Sequence, residues 1–289
     1  MYNRAEVIQK IIDHTGAKRY LEIGVAHAET FLKVKVDHRI GVDPERPSQH
    51  LVNAFAQVMA QSLNHTPAIH LGCNIDRTDI SIEVKNCSQP GQSADMNAEA
   101  EGTSLQNSTQ YYQMTSDDFF TQADTIVGPL GIDVAFVDGL HEWKQAVRDV
   151  ENCLRYLNNG GVIVMHDCSP ISELIATPFD RLEEAKKDPK WDGAWTGDVW
   201  KAVAWLRSAH HDLRFTAFNC DWGVGVITRG RPDSVLRYTR DEVAELPYEK
   251  LDQNRSRILN LKDPSNLDDF VAALPVLGQP KEEVEPAGA

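Results

Sequence analysis

The sequence predicts an α/β fold: a doubly wound, mostly parallel sheet of seven strands with a C-terminal antiparallel hairpin strand. Three observations carry this expectation. Short apolar runs ending in Gly, Asp or His alternate with segments of helical periodicity. The first strand, helix and strand fit within about 25 residues, as a compact βαβ unit does. Two apolar runs after residue 212 are spaced as an antiparallel pair.

Val7, Ile8, Ile11 and Ile12 repeat at helical spacing, and Gly16 ends that helix. RYLEIG (19–24) is a buried strand with a charged residue, Glu22, inside it. VAHAETFLKVKV (25–36) fits a helix, and RIGVDP (39–44) is a second strand closed by Pro44. HLVNAFAQVMAQSL (50–63) places Leu51, Phe55, Val58, Met59 and Ser62 on one stripe, as a crossover helix would. Residues 66–108 are rich in Asn, Ser, Gln, Gly and Asp, which predicts a partly disordered surface insertion. A strand resumes over Tyr111–Met114, and Ser116 or Asp117 can cap the helix that follows. IDVAFVDG (132–139) is a fourth strand. EWKQAVRDVENCLRYL (142–157) is a helix with Trp143, Val147, Val150, Leu154 and Leu157 on one face. NNGG breaks that helix, and GVIVMHDC (161–168) is a fifth strand. GDVWKAVAWLRSA (197–209) is helical, and LRFTAFN and WGVGVITRG form the closing pair. Residues 231–289 read as a polar C-terminal extension with short helical patches and a mobile tail.

Composition narrows the function. The formal charge is −14 and the pI about 5.1. Phosphate-backbone binding needs clustered Lys and Arg, so a chain this acidic is a poor candidate for it and no nucleic-acid partner is expected. The five cysteines are odd in number and none lie at Cys-x-x-Cys spacing, which predicts a reducing compartment rather than a disulfide framework or zinc knuckle. No secretion signal is legible, and no apolar run approaches the ~20 residues that span a bilayer. A cytoplasmic protein that handles small molecules, with no membrane partner and with homo-oligomerisation left open, is the expectation.

In a doubly wound sheet, ligands sit at the carboxyl ends of the strands near the switch in strand order. Polar residues fall at five successive strand ends: Gly24 after the first, Asp43 after the second, Ser116 and Asp117 after the third, Asp138 and His141 after the fourth, His166 and Asp167 after the fifth. YLEIGVAHAET (20–30) has one glycine where a pyrophosphate loop has two or three. Asp43 lies 21 positions after Glu22, a spacing that suits a carboxylate accepting from both hydroxyls of an unphosphorylated ribose.

With LEIGVAHAET and FVDGLHEWKQAVRDVENCLRYLNNGGVIVMHDC, the chain resembles class I S-adenosylmethionine (SAM)-dependent methyltransferases over about residues 5–45 and 110–228. The second segment is similar to the branch containing macrocin-type sugar O-methyltransferases and cephalosporin-hydroxylase-like proteins. The resemblance implies a Rossmann-like methyltransferase domain over residues 1–230. It implies that Gly24 lets the methionine part of SAM lie close, that Glu22 anchors its amino group, and that Ser116 and Asp117 meet the adenine edge. Asp138 belongs to the same cofactor set. It further implies a divalent cation such as Mg²⁺ held by Asp138 and Asp167, and a role for Asp138, His141 and His166 in catalysis on a hydroxyl of a small-molecule acceptor, a sugar or secondary metabolite. The bland alternative has His166 and Asp167 bonding to loops and His141 capping a helix. Trp195 and Trp200 either cover the site or belong to the core. An NAD-dependent oxidoreductase would share the first strand and Asp43 but needs more loop glycines. A non-catalytic cofactor- or partner-binding member of the fold is the other alternative.

Overall fold

The computed structural model describes residues 2–45, 68–73, 80–85 and 108–278. Asn3 opens the first helix, α1 (Arg4–Thr15), through a reciprocal capping box with Glu6, and Gly16 closes it in the left-handed conformation. There follow β1 (Arg19–Ile23), the short α2 (Glu29–Lys33), β2 (His38–Asp43), β3 (Ala68–Cys73), β4 (Ile80–Lys85) and β5 (Ser108–Gln113). Next come α3 (Ser116–Ile126), β6 (Ile132–Val137), α4 (Trp143–Tyr156), β7 (Leu157–Met165), α5 (Leu182–Ala185) and α6 (Val199–Ala209). The chain ends with β8 (Leu213–Phe218), β9 (Val224–Arg229), α7 (Arg240–Ala244), α8 (Tyr248–Leu259), β10 (Leu261–Lys262) and α9 (Leu267–Ala272).

Among the described residues the main sheet runs β10-β8-β9-β7-β6-β1-β2-β5. β5, β2, β1, β6 and β7 are mutually parallel, and β9 lies antiparallel between β7 and β8. β1 pairs with β2 on one side and β6 on the other, so the strand order reverses there. Both faces are covered, as a parallel sheet requires. Alternation divides each central strand between two cores. Leu21, Ala135, Val137, Ile163 and Met165 pack with α3, α4 and α6; Tyr20, Val134, Phe136, Val162 and Val164 pack with α1, α2 and α9.

The sheet has eight strands rather than the seven expected. The extra one, β10, pairs only Leu261 with Ala217 and Lys262 with Phe218, too short to leave a periodic signal. The helix expected over 25–36 shrinks to α2, because Ala26 and Ala28 have φ of +43° and +60° and turn the chain before Glu29. β7 begins at Leu157 and runs through NNGG, with a register shift against β6 between Ile132 and Val134. Thr115, not Ser116 or Asp117, caps α3 by accepting from the Asp118 amide. The expected helix over 50–63 and the tail after 278 lie outside the described residues. Within 66–108 the described residues form one antiparallel pair, β3 with β4, and the first residue of β5, Ser108. Beyond residue 231, α9 packs on α1, and the Leu277 amide donates to Thr15. No described helix is long and apolar enough to cross a membrane.

Candidate active site

A cavity of about 760 Å³ opens at the carboxyl ends of β1, β2, β5, β6 and β7. Glu22, Gly24, Asp43, Ser116, Asp117, Asp138, His141, His166 and Asp167 all line it. The topology explains the convergence: parallel neighbours deliver their ends to one edge, and the reversal at β1 leaves a crevice there.

Gly24 has a φ of +86°, and a Cβ at this position would lie 2.0 Å from the Asp138 carbonyl oxygen. The single glycine of the loop is therefore required by the crossing of the β1 and β6 ends themselves. Asp138 donates its amide to Ile23, and Gly24 donates to Val42, which ties three strand ends together. Asp43 accepts from the Ala26 amide through Oδ2 and from the Glu45 amide through Oδ1, both at 2.8 Å. It thus shapes the turn after β1 from the end of β2. Each of its oxygens keeps a further lone pair. Glu22 is fully buried and accepts from the Tyr20 hydroxyl at 2.5 Å. Burial pushes its carboxyl up to about 8.

At the β5 side, the Gln145 side-chain amide lies 3.1 Å from Ser116 Oγ, 3.2 Å from Asp117 Oδ1 and 3.0 Å from Asp149 Oδ1. Asp149 is buried behind this wall with Oδ2 unpartnered, and burial raises it to about 6.

At the other end stands a cluster of carboxylates and imidazoles. His141 Nδ1 donates to the Trp195 carbonyl at 3.0 Å, which fixes the ring so that Nε2 faces Asp167 at 3.1 Å and Asp138 at 3.6 Å. His166 Nδ1 lies 3.3 Å from Asp138 and 3.2 Å from Asp167, and its Nε2 is 3.6 Å from Asp221. Burial lowers both imidazole pKa values, but the neighbouring carboxylates outweigh it and both end above the ordinary value. Conversely, burial pushes Asp138 up, and His166 and His141 bring it below the ordinary range. Asp167 has a φ of +59°, and its buried Oδ2, the oxygen that faces His141 Nε2, makes no well-aligned hydrogen bond. Ligand atoms of Asp138, His141 and Asp167 all lie within 4.8 Å of one another.

Four contributors escape a reading by strand ends. Arg4 comes from α1, Gln145 and Asp149 from α4, and Asp221 from the β8–β9 turn. Their only signal is polarity at positions whose spatial placement depends on the finished sheet. Trp195 lines the cavity, its ring 4.9 Å from that of His141, whereas Trp200 is core. Glu142, rather than His141, caps α4.

Residues 21–168, just over half of the chain, match a family model described as a methyltransferase domain. Among solved structures, the chain is similar to the O-methyltransferase TomG from Streptomyces achromogenes, involved in tomaymycin synthesis and solved with SAM. The identity is 13%, with 78% of this chain and 79% of that one covered, at a TM-score of 0.45. It is also similar to an O-methyltransferase from Bacillus cereus in complex with S-adenosylhomocysteine (SAH): 10% identity, 78% and 80% covered, TM-score 0.44. An SAH-bound methyltransferase from Podospora anserina gives 14% identity, 79% and 80% covered, and a TM-score of 0.41. No curated protein matches the sequence.

Proposed function

The chain belongs to the methyltransferase-domain family, and from that premise we propose that it moves a methyl group from SAM to a hydroxyl of a small-molecule acceptor, a sugar or other secondary metabolite. One observation carries this reading: a single cavity runs from the buried Glu22 and Asp43 to the cluster of Asp138, His141, His166 and Asp167.

SAM carries a sulfonium and an ammonium cation, and this cavity is acidic. Glu22 takes the amino group. Asp43, held in place by two backbone amides, accepts from the ribose hydroxyls with its remaining lone pairs. Ser116 and Asp117, with Gln145 between them, face the adenine edge. Asp138 closes the cofactor site at its reacting end. Methyl transfer asks little covalent chemistry of a protein; alignment of the nucleophile with the sulfonium methyl and removal of the hydroxyl proton do most of the work. His141 is placed for the proton. Its Nδ1 is committed to the Trp195 carbonyl, so Nε2 is the basic nitrogen, and Asp138 and Asp167 stabilise the imidazolium that results. His166 holds those two carboxylates from behind through Nδ1.

The donor set also fits a divalent cation. Asp138, His141 and Asp167 would hold it: Asp167 through Oδ2, which makes no well-aligned hydrogen bond and faces His141 Nε2 at 3.1 Å, and His141 through that Nε2, so that a bound ion would replace the histidine as the group acting on the hydroxyl. When bound, a cation lowers the pKa of an acceptor hydroxyl. Mixed oxygen and nitrogen donors suit Mn²⁺ or Zn²⁺ as well as Mg²⁺.

The test is methyl transfer from labelled SAM to pools of hydroxylated sugars and phenols, with and without chelator. Asp138→Asn should abolish transfer while SAH binding persists, the signature of an interaction made with the reacting groups. Loss of activity on chelation, restored by Mg²⁺ or Mn²⁺, assigns the cation. Stabilisation by NADH but not by SAH would defeat the methyltransferase reading. Tight cofactor binding without turnover on any acceptor would leave a binding module instead.

A further inference from the structure

Seven Asp or Glu side chains line the cavity, and Arg4 is the only Arg or Lys among its described lining residues. The guanidinium is held firmly. Nε donates to Thr30 Oγ1 at 3.0 Å, and Nη1 lies 3.4 Å from both carboxylate oxygens of Asp221. Nε is also 3.7 Å from Asp138 Oδ2, and the side chain is only 27% exposed. The Arg4 backbone amide donates to Asp221 at 2.7 Å. These contacts engage Nε and Nη1; among the described residues Nη2, with two hydrogens, makes no hydrogen bond. One side of a fixed donor fork is therefore open.

An acidic cavity suits both cations of SAM but repels its α-carboxylate, the cofactor's one anion. That group and the ammonium share a carbon, so their partners must stand at the same end of the cavity. Arg4 meets that condition: it bonds α2 behind the Gly24 turn, and its charge reaches Glu22. We propose that Arg4 binds the α-carboxylate of the methionine part of the cofactor through Nη2, which makes α1 part of the cofactor site. The inference rests on the SAM-dependent reading above. A guanidinium suits the task because it stays charged and can meet a carboxylate through paired N–H groups.

Arg4 also ties α1 to α2 and to the β8–β9 turn, so the experiment must separate ligand contact from support. Decarboxylated SAM lacks only the carboxylate. Titration calorimetry on the full chain should show SAM binding more tightly than decarboxylated SAM. Arg4→Gln should weaken SAM by roughly ten- to hundredfold, the size of a lost charge-assisted hydrogen bond, and leave decarboxylated SAM unchanged. Asp221→Asn loosens the same staple while keeping the cation, so it should preserve the ratio of the two affinities. Equal losses for both ligands in Arg4→Gln, or no loss for either, would overturn the assignment. Should that variant fail to fold, equal affinity of the unaltered protein for the two ligands overturns it as well. If the unaltered protein binds neither ligand, the SAM-dependent reading itself fails, an outcome distinct from binding without discrimination.

Discussion

Glu22 shows how a site residue opposes stability. Burial raises its carboxyl from an ordinary value near 4.5 to about 8 in the native protein. Between those values the native state keeps a proton that the unfolded chain has released. The unfolded state is thus progressively favoured as pH rises through that window. Glu22→Gln keeps the shape and an acceptor for the Tyr20 hydroxyl but removes the titration. We expect the unaltered protein to lose stability between pH 5 and 8 relative to Glu22→Gln, read as the difference in urea midpoints, with the variant the more stable at pH 8. Parallel pH dependences would sink this account. Where Glu22 sheds its proton, from about pH 8 upward, the same variant should bind SAH more weakly, because a neutral amide cannot match a carboxylate as partner of an ammonium, so the conflict between stability and function would sit at one residue. The site residues at strand ends were legible in sequence because each follows an apolar run whose direction is fixed by the fold. Arg4, Gln145, Asp149 and Asp221 were not, because a polar residue in a first helical turn, on a helix face or in a hairpin turn looks the same whether or not a cavity lies beside it.

Whole elements meet at glycines and caps, and two pairs of substitutions test this. Gly24 and Gly16 both have positive φ, +86° and +71°. Around Gly16 a Cβ would meet nothing within 4 Å, so Gly16→Ala carries only the conformational cost, about 1–2 kcal/mol. At Gly24 the same methyl would meet the Asp138 backbone, which cannot swing away as a side chain would. Gly24→Ala should therefore cost clearly more than Gly16→Ala in thermal unfolding, and it should impair SAH binding as the β1 and β6 ends part. Equal costs would mean the crossing is softer than its geometry implies. At α3, Thr115→Ala should cost about 1 kcal/mol, as loss of an N-cap does, whereas Ser116→Ala should affect cofactor affinity more than stability. Elements with long, strong periodicity, such as α4 and the apolar runs of β1, β6 and β9, were readable in the sequence. Those decided by a few backbone angles were not. Ala26 and Ala28 carry no sign that they would adopt left-handed φ, and two residues of β10 contain no period to detect.

At the scale of the molecule, the C-terminal segment returns to support the helix that carries Arg4. Leu267 is fully buried in the same core as Val7, Ile8 and Ile11 of α1, together with Val271 and Leu274. His14 Nε2 lies 3.0 Å from the Leu274 carbonyl oxygen, and the Leu277 amide donates to Thr15 at 2.9 Å. A polar composition hides this role, since few apolar side chains on α9 and after it reach the core: Leu267, Val271 and Leu274 are buried, and Phe270 and Leu277 pack against them. The ion pair between Lys10 and Asp268, at 2.8 Å, is largely exposed and adds little. The two contacts make opposed predictions. Lys10→Ala should leave the unfolding midpoint nearly unchanged, all the more at high salt. Leu267→Ala should cost about 2–5 kcal/mol, the range for truncating a well-packed leucine. Because the loss falls on the support of α1, it should also lower affinity for SAM more than for decarboxylated SAM, by way of Arg4. Saturating SAH should then recover part of the lost stability, since a ligand that binds only the native state stabilises it. If Leu267→Ala lowers the midpoint but leaves both affinities untouched, α9 supports the fold without supporting the site; if it does neither, the segment is not an integral part of the domain.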